Sequence, residues 1–456
     1  MMRSLYAGVS GLKNHQVRMD VLGNNISNVN TNGFKKGRVT FQDMLSQTLS
    51  GAARPGDDKG GVNPQQVGLG MTIASIDTIH TNGSVQVTGK NTDLAILGEG
   101  FFINKKGNET FYTRAGNFNI DRDGMLVNPA NGYKVQGWQA QRGASGEFMV
   151  NTSTTTGDLR IPVGEKDAAK ATSMVDFKCN LNSLTPVVNP NAELSPDFVF
   201  KNSHSAEALV YDNYGQAHKM TVNFTRQGVN IWRAQFTVAD GSNVVTDAPG
   251  GRQNDTNILY FSFNRNGTIA AVTDTQPDAA PANLVEGNKL NANISFRLPD
   301  GSDNSIQLNF GTAGLVDGVT QFDQKSTTKS VWQDGYAMGY MQAFNIDDSG
   351  AITGIFSNGQ KRLLGQVALA TFTNPGGLEK AGSNYFVASN NSGNARISAA
   401  LTEDKGTIRA GSLEMSNVDL SEEFTDMIVT QRGFQANSRT IQTSDQMLQE
   451  VLTLKR

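Results

Sequence analysis

Residues 21–37 read VLGNNISNVNTNGFKKG, and this stretch decides how the chain is read. Asn24, Asn25, Asn28, Asn30 and Asn32 crowd it. It follows a run with helical spacing. Asn suits a helix interior poorly, because its side chain competes for backbone hydrogen bonds. A helix that fades into asparagines marks a place where the chain leaves one element and starts an extended connector. Asn and Gly there suit turns and left-handed backbone.

Working outward, Leu5, Leu12, Met19 and Ile26 recur every seven residues, flanked by Val9, Leu22 and Val29. The other end repeats the pattern with Met427, Phe434, Ile441 and Leu448, flanked by Phe424, Val451 and Leu452. Heptad spacing of this kind predicts two amphipathic, coiled-coil-like helices. Ser421 with Glu422 and Glu423 reads as the start of the second. An ordinary core face would explain either stripe. The remaining faces are unusual, however. Gly8, Gly11, Asn14 and Gln16 lie on one helix, and Gln431, Asn437, Ser438, Thr440, Gln442 and Ser444 on the other. Small and amide side chains suit packing against further helices more than a solvated exterior. Both ends are therefore expected in one helical layer of a polymer.

Composition narrows the rest. The chain has 456 residues, 48 of them Gly, with 18% charged residues and a formal net charge of −3. That length suggests several domains. The near-neutral balance gives no electrostatic reason to expect nucleic acid or an anionic membrane as partner. No apolar run approaches the roughly 20 residues that cross a bilayer. The first residues, MMRSLYAGVSGLKNHQ, lack a continuous apolar segment, so a cleaved secretory signal is not expected. One cysteine, Cys179, leaves no internal disulfide and no multi-cysteine metal site.

The middle reads as β. TIASIDTIHT alternates, and DLAILGEGFFINK, ETFYTRAGNFNID and GMLVNPANGYKVQGW follow with Gly and Asn turns between them. SGAARPGDDKGGVNPQQVG reads as a loop. AEALVYDNYGQAHKMTVNFTRQGVNIWRAQFTV reads as successive hairpin strands, with Trp232 a core anchor. DRDG at 121–124 begins like a calcium loop but lacks the later ligands, so it reads as a hairpin turn. The expected fold is mostly β with terminal α-helices. Nested β domains sit between the N- and C-terminal helices. The expected divisions are 1–30 with 415–456 (helical core), 31–71 (extended connector), 72–165 with 328–410 (inner β domain) and 176–327 (outer inserted β domain).

No enzyme signature stands out. His15, His80, His204 and His218 are not paired at metal-ligand spacing, and there is no nucleophile elbow, P-loop or dinucleotide fingerprint. In MVDFKCNLNS, Cys179 shares a strand face with Phe177 and Leu181, which suits a small core residue. Lys178 points to the other face.

LGNNISNVNTNGFKKGRVTFQDML resembles the N-terminal signature of the bacterial flagellar axial proteins, the rod and hook family. Asn25, Asn28, Asn30, Gly33 and Phe34 fall on its most recognisable positions, as do Thr31 and Lys35. SNVDLSEEFTDMIVTQRGFQANSRTIQTSDQMLQEVL resembles the matching C-terminal end, and TGKNTDLAILGEGFFIN with YTRAGNFNIDRDGMLV resembles the hook and rod β domain. The full extra domain between the halves of that β domain favours hook over rod. The resemblance implies a structural subunit, without cofactor or metal, that polymerises with itself into a curved tube transmitting torque from rod to filament. Leu5, Leu12, Met19, Ile26, Met427, Phe434, Ile441 and Leu448 would form its assembly core. It implies rod and hook–filament junction proteins as neighbours, with a hook cap and the type III export apparatus acting during assembly. It also places the chain outside the cytoplasmic membrane without a cleaved signal, in the periplasm for a spirochaete.

Around Cys179 the chain is similar to the spirochaete branch of hook proteins. There this cysteine loses its sulfur to become dehydroalanine, and a lysine of a neighbouring subunit adds to give lysinoalanine. Lys166 stands at the matching lysine position, Lys170 is the reserve, and Asn180 is an accessory residue. The alternatives are a distal rod subunit or a secreted β-rich adhesin.

Overall fold

A computed structural model describes residues 2–52, 54, 60–143, 147–188, 203–239, 242–247, 257–277, 286–297, 303–402 and 405–453. Among the described residues two long helices flank a run of strands: α1, Met2–Ser27, and α2, Leu420–Thr453. The chain divides into two compact units. One takes in Met1–Val163, Gln342–Ile355 and Lys361–Arg456; the other takes in Gly164–Met341 and Phe356–Gln360. The second unit is wider than the span 176–327 suggested by sequence. Lys166–Asp167 is already paired with Tyr340 and Gly339, so the unit starts before and closes after the patterned strands.

In the first unit, α1 and α2 run antiparallel. Ser4 faces Ser444 at one end of the pair, and Asn25 faces Glu423 at the other. α2 starts one residue earlier than Ser421 suggests. The Asp419 carboxylate accepts the backbone N–H of Ser421 at 2.8 Å, so Asp419 is the cap. The connector after α1 is more regular than an extended strap. Gly37–Asp43 pairs with Met71–Thr78, and Ser46–Ser50 with Gln65–Gly68. Gln65–Gly68 reads as loop in the sequence because of its Gly and Pro neighbours, of which residues 53 and 55–59 lie outside the described set. The β part is an antiparallel sheet built on Lys361–Thr371, Lys134–Gln139, Phe101–Lys106 and Glu109–Thr113. Its core gathers Phe101, Ile103, Trp138, Phe372 and Phe386. DRDG is the turn between Asn119–Ile120 and Leu126–Val127, with Asp121 Oδ1 accepting the N–H groups of Asp123 and Met125.

The second unit is a two-sheet β structure around one apolar core. A five-stranded antiparallel meander runs Ser203–Tyr211, Ala217–Gly228, Ile231–Val238, Ile258–Phe263 and Ile269–Thr273. The other sheet places Met174–Asn182 beside Asp303–Thr312, Thr320–Phe322 and Thr327–Gln333. Alternation of buried and more exposed residues along these strands sends one face of each sheet into the core. Trp232 is fully buried there, and its indole N–H donates to Gln321 Oε1 at 3.1 Å.

The asparagine stretch is where the first unit depends most on backbone. Gly33 has φ +68°, and a Cβ on it would lie 2.5 Å from the backbone nitrogen of Ala115. Gly33→Ala is therefore expected to destabilise the chain by about 1–3 kcal/mol, the usual cost of a strained backbone position. Urea denaturation of the purified monomer checks this.

Candidate assembly and cross-linking sites

The asparagines have distinct tasks. Asn25 is buried. Its amide donates to Gly37 O at 2.8 Å and to Glu423 at 3.0 Å, and its carbonyl oxygen accepts the Gly37 N–H at 2.9 Å. It thereby ties the connector and α2 to the end of α1. Asn28 folds back on Asn24 and receives the Thr31 hydroxyl, which closes the helix end. Asn30 is exposed. Phe34 lies under the Lys380 ammonium, 5.4 Å from its ring centre.

One carboxylate gathers the chain passages around this turn. Glu414, just before α2, meets the Lys35 ammonium at 2.5 Å and the Arg114 guanidinium at 3.4 Å. The three side chains are 1%, 0% and 3% exposed respectively. The two cations exceed the one anion, and neutral oxygens help to hold them. Lys35 also donates to Thr81 O at 2.8 Å, and Arg114 to Gly98 O at 2.8 Å and Asn82 Oδ1 at 3.2 Å. Glu414 further accepts the Gly83 N–H, while its own carbonyl accepts that of Gly33. In the sequence Lys35 stands out as a motif residue and Glu414 does not. Charge alone cannot flag a carboxylate 379 residues away.

The helix pair is closed by small and polar side chains. A Cβ on Gly8 would lie 3.1 Å from Ile441, and one on Gly11 would lie 2.7 Å from the Asn437 amide. Gly8, Gly11, Leu22 and Asn25 of α1 are buried, as are Glu423, Thr430 and Ser444 of α2. The expected core residues Leu5, Leu12, Met19, Ile26, Met427, Phe434, Ile441 and Leu448 are all half-buried beside this seam. Phe424, Ile428, Val429, Met447, Val451 and Leu452 are exposed. The glycines are visible in the sequence, and their i, i+3 spacing is the signal for a close helix approach. Arg18–Asp426 at 2.9 Å and Lys36–Glu422 at 2.7 Å flank the seam.

In the second unit, Cys179 is 4% exposed among the apolar residues of the core. Burial pushes its thiol up to about 12, so it stays protonated near neutrality. Lys166 is exposed, its ammonium 5.8 Å from the Tyr340 ring centre. The two residues are thus not brought together within the chain: one is in the core, the other at the surface. Lys170 is held at 2.7 Å by Asp334. Hydrogen bonds from Lys170, Ser173 and Met174 outweigh the opposing effect of burial and hold the Asp334 carboxyl down to about 2. Asn180 Oδ1 accepts the Phe322 N–H at 3.0 Å and lies 3.2 Å from the Thr320 hydroxyl. Among the described residues no cluster of His, Cys, Asp or Glu could hold a metal ion.

These features define a class. Helices at both chain ends return to one seam, and β units are nested between them. Family models for flagellar basal body rod proteins match residues 5–35 and, as the C-terminal model shared with hook proteins, 409–454. The flagellar hook D1 domain model matches 95–174, and the flagellar basal body D2 domain model matches 180–336. The chain is therefore a flagellar axial protein. It is 50% identical to the flagellar hook protein FlgE of Treponema pallidum over the whole of both chains, and 49% identical to that of Borreliella burgdorferi, again over both whole chains. A crystal structure of the Helicobacter pylori flagellar hook protein FlgE2 shares the fold, with a TM-score of 0.51 at 15% identity, covering 72% of this chain and all of that one. The chain belongs to the flagellar hook protein FlgE family, a family of structural subunits rather than enzymes.

His80 offers a test of the buried charge cluster. Burial and, secondarily, the charges of Lys35, Arg114 and Lys380 lower it to about 4. Unfolded His80 takes up its proton near 6.5, so acidification from 6.5 to about 4 favours the unfolded chain, and the effect levels off below. His80→Phe is expected to lessen the loss of stability in that window. Denaturation midpoints measured across it decide the matter; equal slopes would contradict the assignment.

Proposed function

We propose that the chain polymerises through α1 and α2 into the tube of the hook, a flexible coupling that transmits torque from rod to filament. The apolar residues that α2 leaves in solvent carry this reading. A solitary helix pair gains nothing from them, whereas copies packed side by side bury them. Leu5, Leu12, Met19, Ile26, Met427, Phe434, Ile441 and Leu448, half-buried in one chain, become the shared core. Rod proteins, junction proteins, a cap and the type III export apparatus are the neighbours this role requires. A flagellum enclosed in the periplasm suits the similarity to the two spirochaete proteins.

The polymer is further locked, in this reading, by lysinoalanine between Cys179 of one copy and Lys166 of another. Three observations support it. Lys166 is exposed and able to leave its chain, whereas Lys170 is engaged by Asp334. Burial keeps Cys179 as the neutral thiol, the form from which hydrosulfide departs; a thiolate would have to leave as the sulfide dianion. The strand is also loosely held there. On one flank, Asp303–Thr312 reaches only Met174–Asp176 of this strand, and Thr320–Phe322 only Asn180–Asn182. Among the described residues, 177–179 have a strand partner on the other flank alone, and on the open flank the Cys179 carbonyl meets only the Thr320 hydroxyl, at 3.4 Å. Asn180 keeps the adjoining segment in register through its bonds to Phe322 and Thr320.

Native assemblies boiled in SDS with reductant are expected to run as a ladder above 49.0 kDa, and Cys179→Ala to collapse it to monomer. A single monomer band from the native material would remove the covalent link and leave the non-covalent polymer.

A further inference from the structure

The chain contains five Asn–Gly pairs, at 32–33, 82–83, 131–132, 266–267 and 358–359. Gly after Asn leaves the next backbone nitrogen freest to reach the Asn Cγ and close a cyclic imide. Four of the pairs are built as turns. Gly33, Gly132, Gly267 and Gly359 have φ of +68°, +72°, +82° and +80°. Their N–H groups donate to the main-chain carbonyls of Glu414, Asn128, Asn264 and Phe356. Asn82–Gly83 is different. Gly83 lies outside the left-handed region, and its N–H donates to a carboxylate, Glu414 Oε1, at 3.0 Å. Asn82 Oδ1 accepts from the Arg114 guanidinium at 3.2 Å. The Arg114 and Glu414 side chains are buried, whereas Asn82 itself is open to water.

We infer that Asn82 is a self-modification site: the folded chain converts it to aspartate, which gives the Glu414 cluster a second carboxylate. Each step has a group already in place. The Glu414 carboxylate takes the Gly83 N–H proton as the Gly83 nitrogen bonds to Asn82 Cγ. Negative charge gathers on Asn82 Oδ1, where the Arg114 guanidinium donates a hydrogen bond. The Cγ–Nδ2 bond then breaks. The amide nitrogen leaves with the proton held by Glu414, as ammonia, and the cyclic imide remains. Water opens the imide at Cγ, the carbonyl that Arg114 polarises. Its hydroxyl stays on Cγ, its proton restores the Gly83 N–H, and the bond from Gly83 nitrogen to Cγ breaks. The product is ordinary aspartate and not isoaspartate. One water is consumed and one ammonia released, with no oxidant required.

Charge and packing both favour that product. In the unmodified chain Lys35 and Arg114 share the carboxylate of Glu414, and Glu99 acts on Arg114 more weakly than Glu414 does. Aspartate at 82 replaces a neutral acceptor of Arg114 with a charged one, and such a bond is roughly twice as strong. Isoaspartate would lengthen the main chain by a carbon where there is no slack: a Cβ on Gly83 would lie 2.0 Å from the Met415 carbonyl oxygen. The turn pairs lack these groups. At Asn131, Asn266 and Asn358 the side-chain oxygen accepts the main-chain N–H two residues on, from Tyr133, Thr268 and Gln360. Their Gly N–H groups meet carbonyls, which are poor proton acceptors.

The test holds the full-length chain, freshly purified, in neutral buffer and follows all five pairs by peptide mass spectrometry. Fragmentation at N–Cα bonds separates aspartate from isoaspartate. The same chain in strong urea gives the rate that local sequence alone sets. Folded Asn82 is expected to convert roughly tenfold faster than in urea and than the other four folded pairs, a modest share of the help acid–base groups can give. Its product is expected to be chiefly aspartate. Glu414→Gln should remove the excess at Asn82 and leave the other four pairs unchanged. If that variant unfolds, all five pairs take their urea rates, and the unmodified chain's own comparison with urea decides. The Asn82→Asp chain is expected to unfold at higher urea than the unmodified one. Folded Asn82 that converts no faster than in urea, or chiefly to isoaspartate, would overturn the inference. An equal or lower urea midpoint for Asn82→Asp would overturn the part concerning charge.

Discussion

The Glu414 carboxylate is the interaction on which the first unit turns. It ends the short strand Ser412–Glu414 that precedes α2, and its partners come from after α1 (Lys35), from the segment that follows the connector (Gly83) and from the end of a sheet strand (Arg114). Removing one member of a buried ion group leaves charge without compensation, which costs about 3–5 kcal/mol. The cluster is thus expensive to open halfway. Its effect is to fix where both helices emerge from the β body, and so to fix the angle at which the helical seam is presented. A polymer built on that seam needs such a fixed starting geometry in every copy.

From this anchor the helices pack through the least adhesive surface they have. Gly8 and Gly11 let α2 approach closely, and Thr430 and Ser444 fill the seam. The apolar residues stand to the side, half-buried or exposed. In an isolated domain that arrangement would be wasteful. Under the proposed assembly it separates two tasks: small residues close the pair within a chain, and apolar stripes would remain for neighbouring chains. The second unit has the opposite economy. Its Phe- and Trp-rich core is complete within the chain. Cys179 lies inside that core and Lys166 at the surface.

Much of this is legible in the residues. The heptads point to both helices, period-two alternation points to the strands of both units, and the asparagine stretch marks the end of α1 at Ser27. Trp232 belongs in a core because an indole flanked by alternating strand residues has few other homes, and there it lies. Other features are hidden for physical reasons. The hairpin at Gln65–Gly68 is fully exposed, so it has no alternating burial to write into its sequence. The stripe residues suggest an apolar seam, but the closest approach is set by glycines, whose signal is the absence of a side chain. Glu414, Arg114 and Lys35 are distant in sequence, and only the fold joins them. Lys166 and Asn180 are picked out by resemblance, and their surroundings bear only on how they would act.

The central claim is that α1 and α2 are unfinished in one chain and completed by other copies. Hydrogen exchange, followed by mass spectrometry on monomer and on assembled polymer, tests it most directly. The account predicts that α1 and α2 peptides exchange rapidly in the monomer and become strongly protected on assembly, while the strands around Trp232 change little. Equal protection of both helices in monomer and polymer would contradict it.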